Sequence, residues 1–202
     1  DTLDFIYENK EKIIRRMNTS LVKKWHRNPE IIFYDVTNFF FETSEPDEDI
    51  FDEDGNVIET GIRKMGVSKE NRKQPIVQMG LFMDDQGLPI SIETFPGNTL
   101  DANTFKPAIS KSIDGLDYAR FIMIGDRGMC NYQNIFHLLD QNHGYIIAKS
   151  LLKSTRSEQE WAYANDEFIE ISKDFKYKSH IVKRTVKDTN GKKRTVTENV
   201  IV

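Results

Sequence analysis

Ile31-Ile32-Phe33-Tyr34-Asp35-Val36-Thr37-Asn38-Phe39-Phe40-Phe41 is a β-branched and aromatic run with a carboxylate near its centre. That composition predicts a strand. An acid among apolar residues is costly to bury unless a metal ion or a hydrogen-bond network compensates its charge. A second apolar run, Phe121-Ile122-Met123-Ile124, ends in the turn Gly125-Asp126-Arg127-Gly128. Two strand-borne carboxylates, 91 residues apart in the chain, predict one constellation assembled by the fold.

Working outward, residues 3–27 carry Leu3, Ile6, Ile13, Ile14, Met17, Leu21, Val22 and Trp25 near a 3.6-residue period, so a helix is expected there, stopped by Asn28-Pro29. After the first strand (31–41), an acidic stretch leads through Gly55, Gly61 and Gly66 to Ser68 and reads as a long, mobile loop. Pro75 opens a second strand (76–83). Asp84-Asp85-Gln86-Gly87 supplies turn chemistry, and 88–95 returns as the other arm of a hairpin. Pro96-Gly97-Asn98 breaks that strand, and a helix over 103–113 follows, with Asp101 or Asn103 as N-cap. Then come a strand at 120–125, a helix at 131–142 and a strand at 145–149.

The order β-β-β-α-β-α-β predicts an α/β fold in which an antiparallel meander is continued by parallel strands through right-handed crossovers. Placing the fourth strand beside the first makes Asp35 and Asp126 neighbours. The tail differs. Residues 167–171, 180–186 and 195–202 alternate or run apolar, and Asp188-Thr189-Asn190-Gly191 is a strong hairpin turn. The expected organisation is a helical N-terminal segment (1–30), a core (31–150) and a β-rich unit (151–202).

A chain of 202 residues, 38% hydrophobic and 30% charged, suits one substantial core with an appended or inserted subdomain. The one cysteine, Cys130, rules out an intrachain disulfide and fits a reducing compartment. No apolar run reaches the roughly 18 residues of a membrane span and no signal peptide opens the chain, so a cytoplasmic protein with no membrane partner is expected. The first residue is Asp rather than Met, which suggests a piece of a longer protein. Net charge is −4, but residues 42–54 hold eight acids and no base, and the remainder carries 28 bases against 24 acids. An acidic loop beside a basic body is compatible with DNA binding.

Tyr34-Asp35-Val36-Thr37, then Gly66-Val67-Ser68-Lys69 with Arg72 and Gln78, then Gly87-Leu88-Pro89-Ile90, Phe95-Pro96-Gly97-Asn98-Thr99 and Gly125-Asp126-Arg127-Gly128-Met129 follow one another in register with the expected strands. In that order they resemble the catalytic domain of DDE transposases of bacterial insertion sequences, over roughly residues 31 to 150. The resemblance implies a ribonuclease-H-like mixed sheet. It also implies cleavage of transposon-end DNA and transfer of the freed 3′ hydroxyl into target DNA by two Mg²⁺ (or Mn²⁺) ions. Double-stranded DNA, both transposon ends and target, would be the partner, with self-association of the full-length protein.

By that match Asp35 and Asp126 are the first two catalytic, metal-binding aspartates. The family's third carboxylate, a Glu in the spacing Tyr-x2-Arg-x3-Glu-x6-Lys, is absent: Tyr145 meets Ala148 at the Arg position, Tyr163 meets Asp166, and Tyr177 meets His180. The expectation is that the chain stops inside a β-rich insertion and cannot catalyse strand transfer alone. Mg²⁺ prefers hard oxygen ligands and keeps several waters, so a few carboxylates suffice. Thr37, on the strand face of Asp35, and Asn98 are candidate supporting residues. Lys64, Lys69, Arg72, Lys73 and Arg127 are candidate phosphate contacts.

The residues alone leave alternatives open. Asp35 can pair with a buried Lys or Arg, and Asp126 can cap the following helix or shape a turn. Asp-x-Thr after an apolar strand with a later Gly-Asp also echoes Mg²⁺-dependent phosphatases of the haloacid-dehalogenase type, in which Asp35 would be a covalent nucleophile. That family expects an acid where Thr37 stands. A non-catalytic DNA-binding or assembly module is the third reading. Glu93 could approach the site, though surface or hairpin pairing fits it better, and the four histidines lack metal-ligand spacing.

Overall fold

A capping box, in which the Asp1 carboxylate accepts from the amides of Leu3 and Asp4, starts α1 (Thr2–Trp25). The helix ends at His26 in the left-handed conformation, φ 52°. The computed structural model describes residues 1–67, 73–113, 116, 118, 120–129 and 131–202, and these fall into two units, Asp1–Ile147 and Ala148–Val202.

In the first unit α1 is followed by β1 (Ile31–Phe40), the short strands β2 (Ile50–Phe51) and β3 (Val57–Glu59), and the hairpin β4 (Ile76–Asp84) and β5 (Pro89–Pro96). Helix α2 (Asp101–Ser112), β6 (Ile122–Gly125), α3 (Tyr132–Asp140) and β7 (Gly144–Ile147) complete it. The main sheet has the order β5-β4-β1-β6-β7. Strand β1 is antiparallel to β4 and parallel to β6, and β6 is parallel to β7. A three-strand antiparallel meander extended by crossovers on the side of its first strand is the mixed sheet that the order of elements predicts, and it agrees with the ribonuclease-H-like sheet that the resemblance implies.

Period-2 alternation divides β1 between two faces. Ile32, Tyr34 and Val36 are buried, and they join Phe82, Phe105, Ala108, Ile109, Met123 and Leu138 in the core. Burying each large apolar side chain contributes about 1.5–3 kcal/mol. Tyr34 lies over Gly80, where a Cβ would meet the tyrosine oxygen at 2.3 Å, so the ring needs a glycine on the neighbouring strand.

Helix α1 is fastened to the hairpin by polar groups. Asn18 Nδ2 donates to the Ile90 carbonyl at 2.9 Å, and Lys10 Nζ pairs with Glu93 at 2.9 Å. Arg27, just past the helix, is buried: Nε donates to Asp84 Oδ2 and Nη1 to Asn18 Oδ1, both at 2.9 Å, while Nη2 reaches the carbonyls of Leu88 and Pro89. Asp84 Oδ1 in turn accepts from the amides of Gln86 and Leu88 and shapes the hairpin turn.

Three local expectations are corrected. The segment after β1 is not simply a loop: β2 and β3 pair, and two of its acids are used structurally. Asp47 accepts from Arg63, and Asp49 pairs with Lys64 at 2.8 Å. These bonds hold the Asp47 and Asp49 carboxyls below the usual range, side-chain hydrogen bonding being the largest cause in each. Helix α2 starts at Asp101 with Leu100 as N-cap and no side-chain cap. The tail contains a helix as well as strands.

That helix is α4 (Arg156–Tyr163), capped by the box Thr155–Glu158, and β8 (Ile169–Ser172), β9 (Phe175–Tyr177), β10 (Ser179–Lys187) and β11 (Lys193–Ile201) follow as two hairpins. The turn at Asp188–Gly191 forms as its residues predict, with Gly191 at φ 75°. Glu158 organises this unit, accepting from Lys149, the Thr155 amide and Arg184. Burial alone would raise its carboxyl, but those donors hold it down to about 2. Lys178, 1% exposed, donates to the Ala164 carbonyl with its ammonium beside the Trp161 and Phe168 rings.

Candidate metal centre where the parallel strands end

Asp35 and Asp126 occupy adjacent positions. The last pair in the β1–β6 ladder is Tyr34 with Gly125, and the aspartates are the next residues in the chain, Asp35 within β1 and Asp126 just past the end of β6. There β6 stops while β1 runs on to Phe40 paired with β4. The two carboxylates therefore stand at the step where β1 loses its parallel neighbour. Neighbouring strands are about 4.8 Å apart, so the backbone sets the two positions side by side.

Asp35 is exposed, not buried as its apolar surroundings suggest. Its strand face is largely uncovered: Phe33 is 36% exposed and Phe39 50%, and Ile92 on β5 and Ile122 on β6 are also exposed. Aromatic residues on both faces of β1 hide in the sequence which face is covered. Thr37 lies two residues on, on the same exposed face.

Asp126 is exposed too, and a turn fixes it: Oδ1 accepts from the Gly128 amide at 2.7 Å, and the Met129 amide donates to its carbonyl. A Cβ at Gly128 would stand 3.0 Å from Asp126 Oδ1 and 3.5 Å from Asp101 Oδ2. Asp101, the first residue of α2, thus places its carboxylate against the same glycine. In the sequence Asp101 has only the signature of a helix cap. Asp-x-x-Thr at a helix start is the signal that could have drawn more weight, because Thr104 is what locks that turn.

Tyr34 couples these groups. Its phenol donates to Thr104 Oγ1 at 2.8 Å, and Thr104 donates to the Asp101 carbonyl at 2.7 Å. Burial pushes the phenol well above its ordinary value, and the charges of Asp101, Glu93 and Asp35 push it further. The protonated phenol is the form that donates to Thr104. From the other side, Asn134 Nδ2 donates to the Ala102 and Met129 carbonyls, so the first turn of α2 is pinned to the Asp126 turn.

Among the described residues, no three His, Cys, Asp or Glu side chains group closely enough to hold an ion together. Glu93 is turned away, buried and bonded to Lys10 and Ser112. Lys64 is occupied by Asp49 and the Asp47 carbonyl. Lys73, Arg127 and Asn98 are exposed. Lys69, Arg72 and Cys130 lie outside the described residues. The run of β1 past Asp35 also departs from a phosphatase nucleophile placed at a strand end.

A family model described as the transposase DDE domain matches residues 27–200. The chain belongs to that family. No curated protein matches it in sequence. Solved structures similar to it include a Mos1 transposase paired-end complex with left transposon end, at 16% identity and a TM-score of 0.39, covering 78% of this chain and 55% of that one. A Mos1 mariner paired-end complex with Mn is similar at 15% identity and 0.33, covering 75% and 52%. A piggyBac transposase synaptic complex with hairpin DNA is similar at 9% identity and 0.44, covering 91% and 38%. The chain spans about half the length of the Mos1 chains it matches. Among the described residues, no helix of this DDE-family chain is long and apolar enough to cross a membrane.

Proposed function

We propose that this chain is the core of a transposase that cuts transposon-end DNA and joins its 3′ hydroxyl to target DNA, with Asp35 and Asp126 as metal ligands. The observation that carries the reading is their adjacency one step beyond the Tyr34–Gly125 pair, within a domain of the DDE family. The donor set fits Mg²⁺ or Mn²⁺: two solvent-exposed carboxylates are hard oxygen donors and leave the remaining coordination to water and substrate oxygens. When bound, two such ions activate the attacking oxygen and stabilise the leaving one in an in-line displacement.

The chain's own residues supply placement. The β1 ladder fixes Asp35, and the Gly128 amide and the 126–129 turn fix Asp126. Arg127 and Lys73 offer exposed cations for DNA phosphates, while Thr37, on the exposed face of Asp35, and the exposed Asn98 would serve as polar support. Two carboxylates are short of the family's three, so the chain is expected to bind metal without completing strand transfer. Thermal unfolding with added Mn²⁺ tests this reading. Mn²⁺ stabilises the wild type, and Asp35→Asn and Asp126→Asn each weaken the effect. Equal stabilisation of all three proteins refutes the assignment.

A further inference from the structure

Charge along α1 is sharply divided. Residues 1–11 hold four acids and one base, whereas residues 12–25 hold five bases and no acid. The inward stripe of the helix is Lys10, Ile14, Asn18 and Leu21, of which Lys10 and Asn18 bond to β5. At 100° per residue, Lys12, Arg16, Thr19 and Lys23 form the stripe directly opposite, and all four are exposed. Arg15 and Ser20 flank it, and the six side chains line one shallow groove on the outer surface of the helix. Neither Arg16 nor Lys23 has an acid three or four residues away on the helix.

We infer that this stripe of α1 is a docking surface for the phosphate backbone of double-stranded DNA, remote in sequence from the carboxylate pair. The inference rests on the reading of the chain as a DNA-handling domain and adds a surface to it. From Lys12 to Lys23 the stripe is about 16 Å long, enough to meet phosphates on both walls of a major groove about 12 Å wide. Its chemistry is cation and hydroxyl alone, which are the side chains that grip phosphate oxygens without reading bases. A helix that lies on a membrane needs an apolar face turned to the lipid, and no residue of this stripe is apolar. The contacts predicted are therefore non-specific and sensitive to salt, and they set the orientation of the duplex rather than its sequence.

The test is fluorescence anisotropy of the 202-residue chain with a labelled duplex of arbitrary sequence, in EDTA, across a series of salt concentrations. Removing metal separates this surface from the Asp35–Asp126 site. The combined variant Lys12→Gln, Arg16→Gln, Lys23→Gln is expected to bind about tenfold or more weakly, with the log–log salt slope smaller by about 3, one per phosphate contact removed. Arg16→Lys keeps the wild-type slope. A control that removes equal charge elsewhere, Lys183→Gln, Lys187→Gln, Lys193→Gln, also keeps it. An unchanged slope in the stripe variant, or an equal fall in the control, overturns the inference. So does stronger stripe-dependent binding to phosphatidylserine vesicles than to the duplex. Failure of Mn²⁺ stabilisation with a normal stripe effect would instead remove the metal reading and leave this surface standing.

Discussion

The Tyr34 phenol donates to Thr104 Oγ1 at 2.8 Å, and through that bond the strand bearing Asp35 is tied to the helical turn bearing Asp101. Because the Thr104 hydroxyl donates its own hydrogen bond to the Asp101 carbonyl, the chain of bonds has a direction: phenol to hydroxyl to backbone. Tyr34→Phe removes the donor and is expected to cost about 1 kcal/mol, whereas Thr104→Val leaves the buried phenol without an acceptor and costs about 2 kcal/mol. Urea denaturation of the two variants checks the order.

Gly128 is the point where the Asp126 and Asp101 carboxylates come together. A methyl group there would crowd Asp126 Oδ1 at 3.0 Å, and the carboxylate must give by a few tenths of an ångström. Gly128→Ala is expected to leave the fold stable within about 0.5 kcal/mol, as is usual for an exposed position. Mn²⁺ affinity should fall on the order of tenfold, because the support of a ligand is disturbed. Titration calorimetry against Mn²⁺ reads the second effect and denaturation the first.

Arg27, 9% exposed, makes four guanidinium hydrogen bonds, to Asp84, Asn18 and the carbonyls of Leu88 and Pro89. Arg27→Ala strands the Asp84 carboxylate, and loss of one partner of a buried pair costs about 3–5 kcal/mol. A large drop in the denaturation midpoint, with loss of α1 protection in hydrogen exchange, is the expected result. A drop of under about 1 kcal/mol, the range of exposed pairs, would show that the network is not what fastens the helix.

Glu158 gives the second unit an acid limit. Its carboxyl is lowered from 4.5 to about 2 on folding. A lowered folded value means that the stabilisation is fully present above 4.5 and is lost as pH falls from there toward 2. At roughly 1.4 kcal/mol per pKa unit this is about 3 kcal/mol. Unfolding followed by Trp161 fluorescence in a Trp25→Phe background should show that acid sensitivity, and Glu158→Gln should flatten it.

Much of the sheet was legible because strand signals are local. The aromatic run of β1, the Asp84–Gly87 turn and the glycine turn after β6 each announce an element, and the ban on left-handed crossovers leaves few ways to arrange them. That logic put Asp35 beside Asp126. Exposure was not legible, because β1 carries large apolar groups on both faces and only packing decides which is covered. Asp101 at Gly128 and Arg27 on Asp84 join residues far apart in the chain, and no local pattern reveals such pairs. The helix at 156–163 was legible in principle, since Thr155-x-x-Glu158 is a capping-box spacing. Its eight residues were outweighed by the strands that follow.

The central claim is that one cation site is built by Asp35 and Asp126, and paramagnetic broadening by Mn²⁺ tests it most directly. In amide NMR spectra at substoichiometric Mn²⁺, the account predicts that the signals of Asp35, Val36, Asp126 and Gly128 vanish first, and that Asp126→Asn restores them. Broadening that begins instead in the acidic stretch 47–54, and is unmoved by Asp126→Asn, would contradict it.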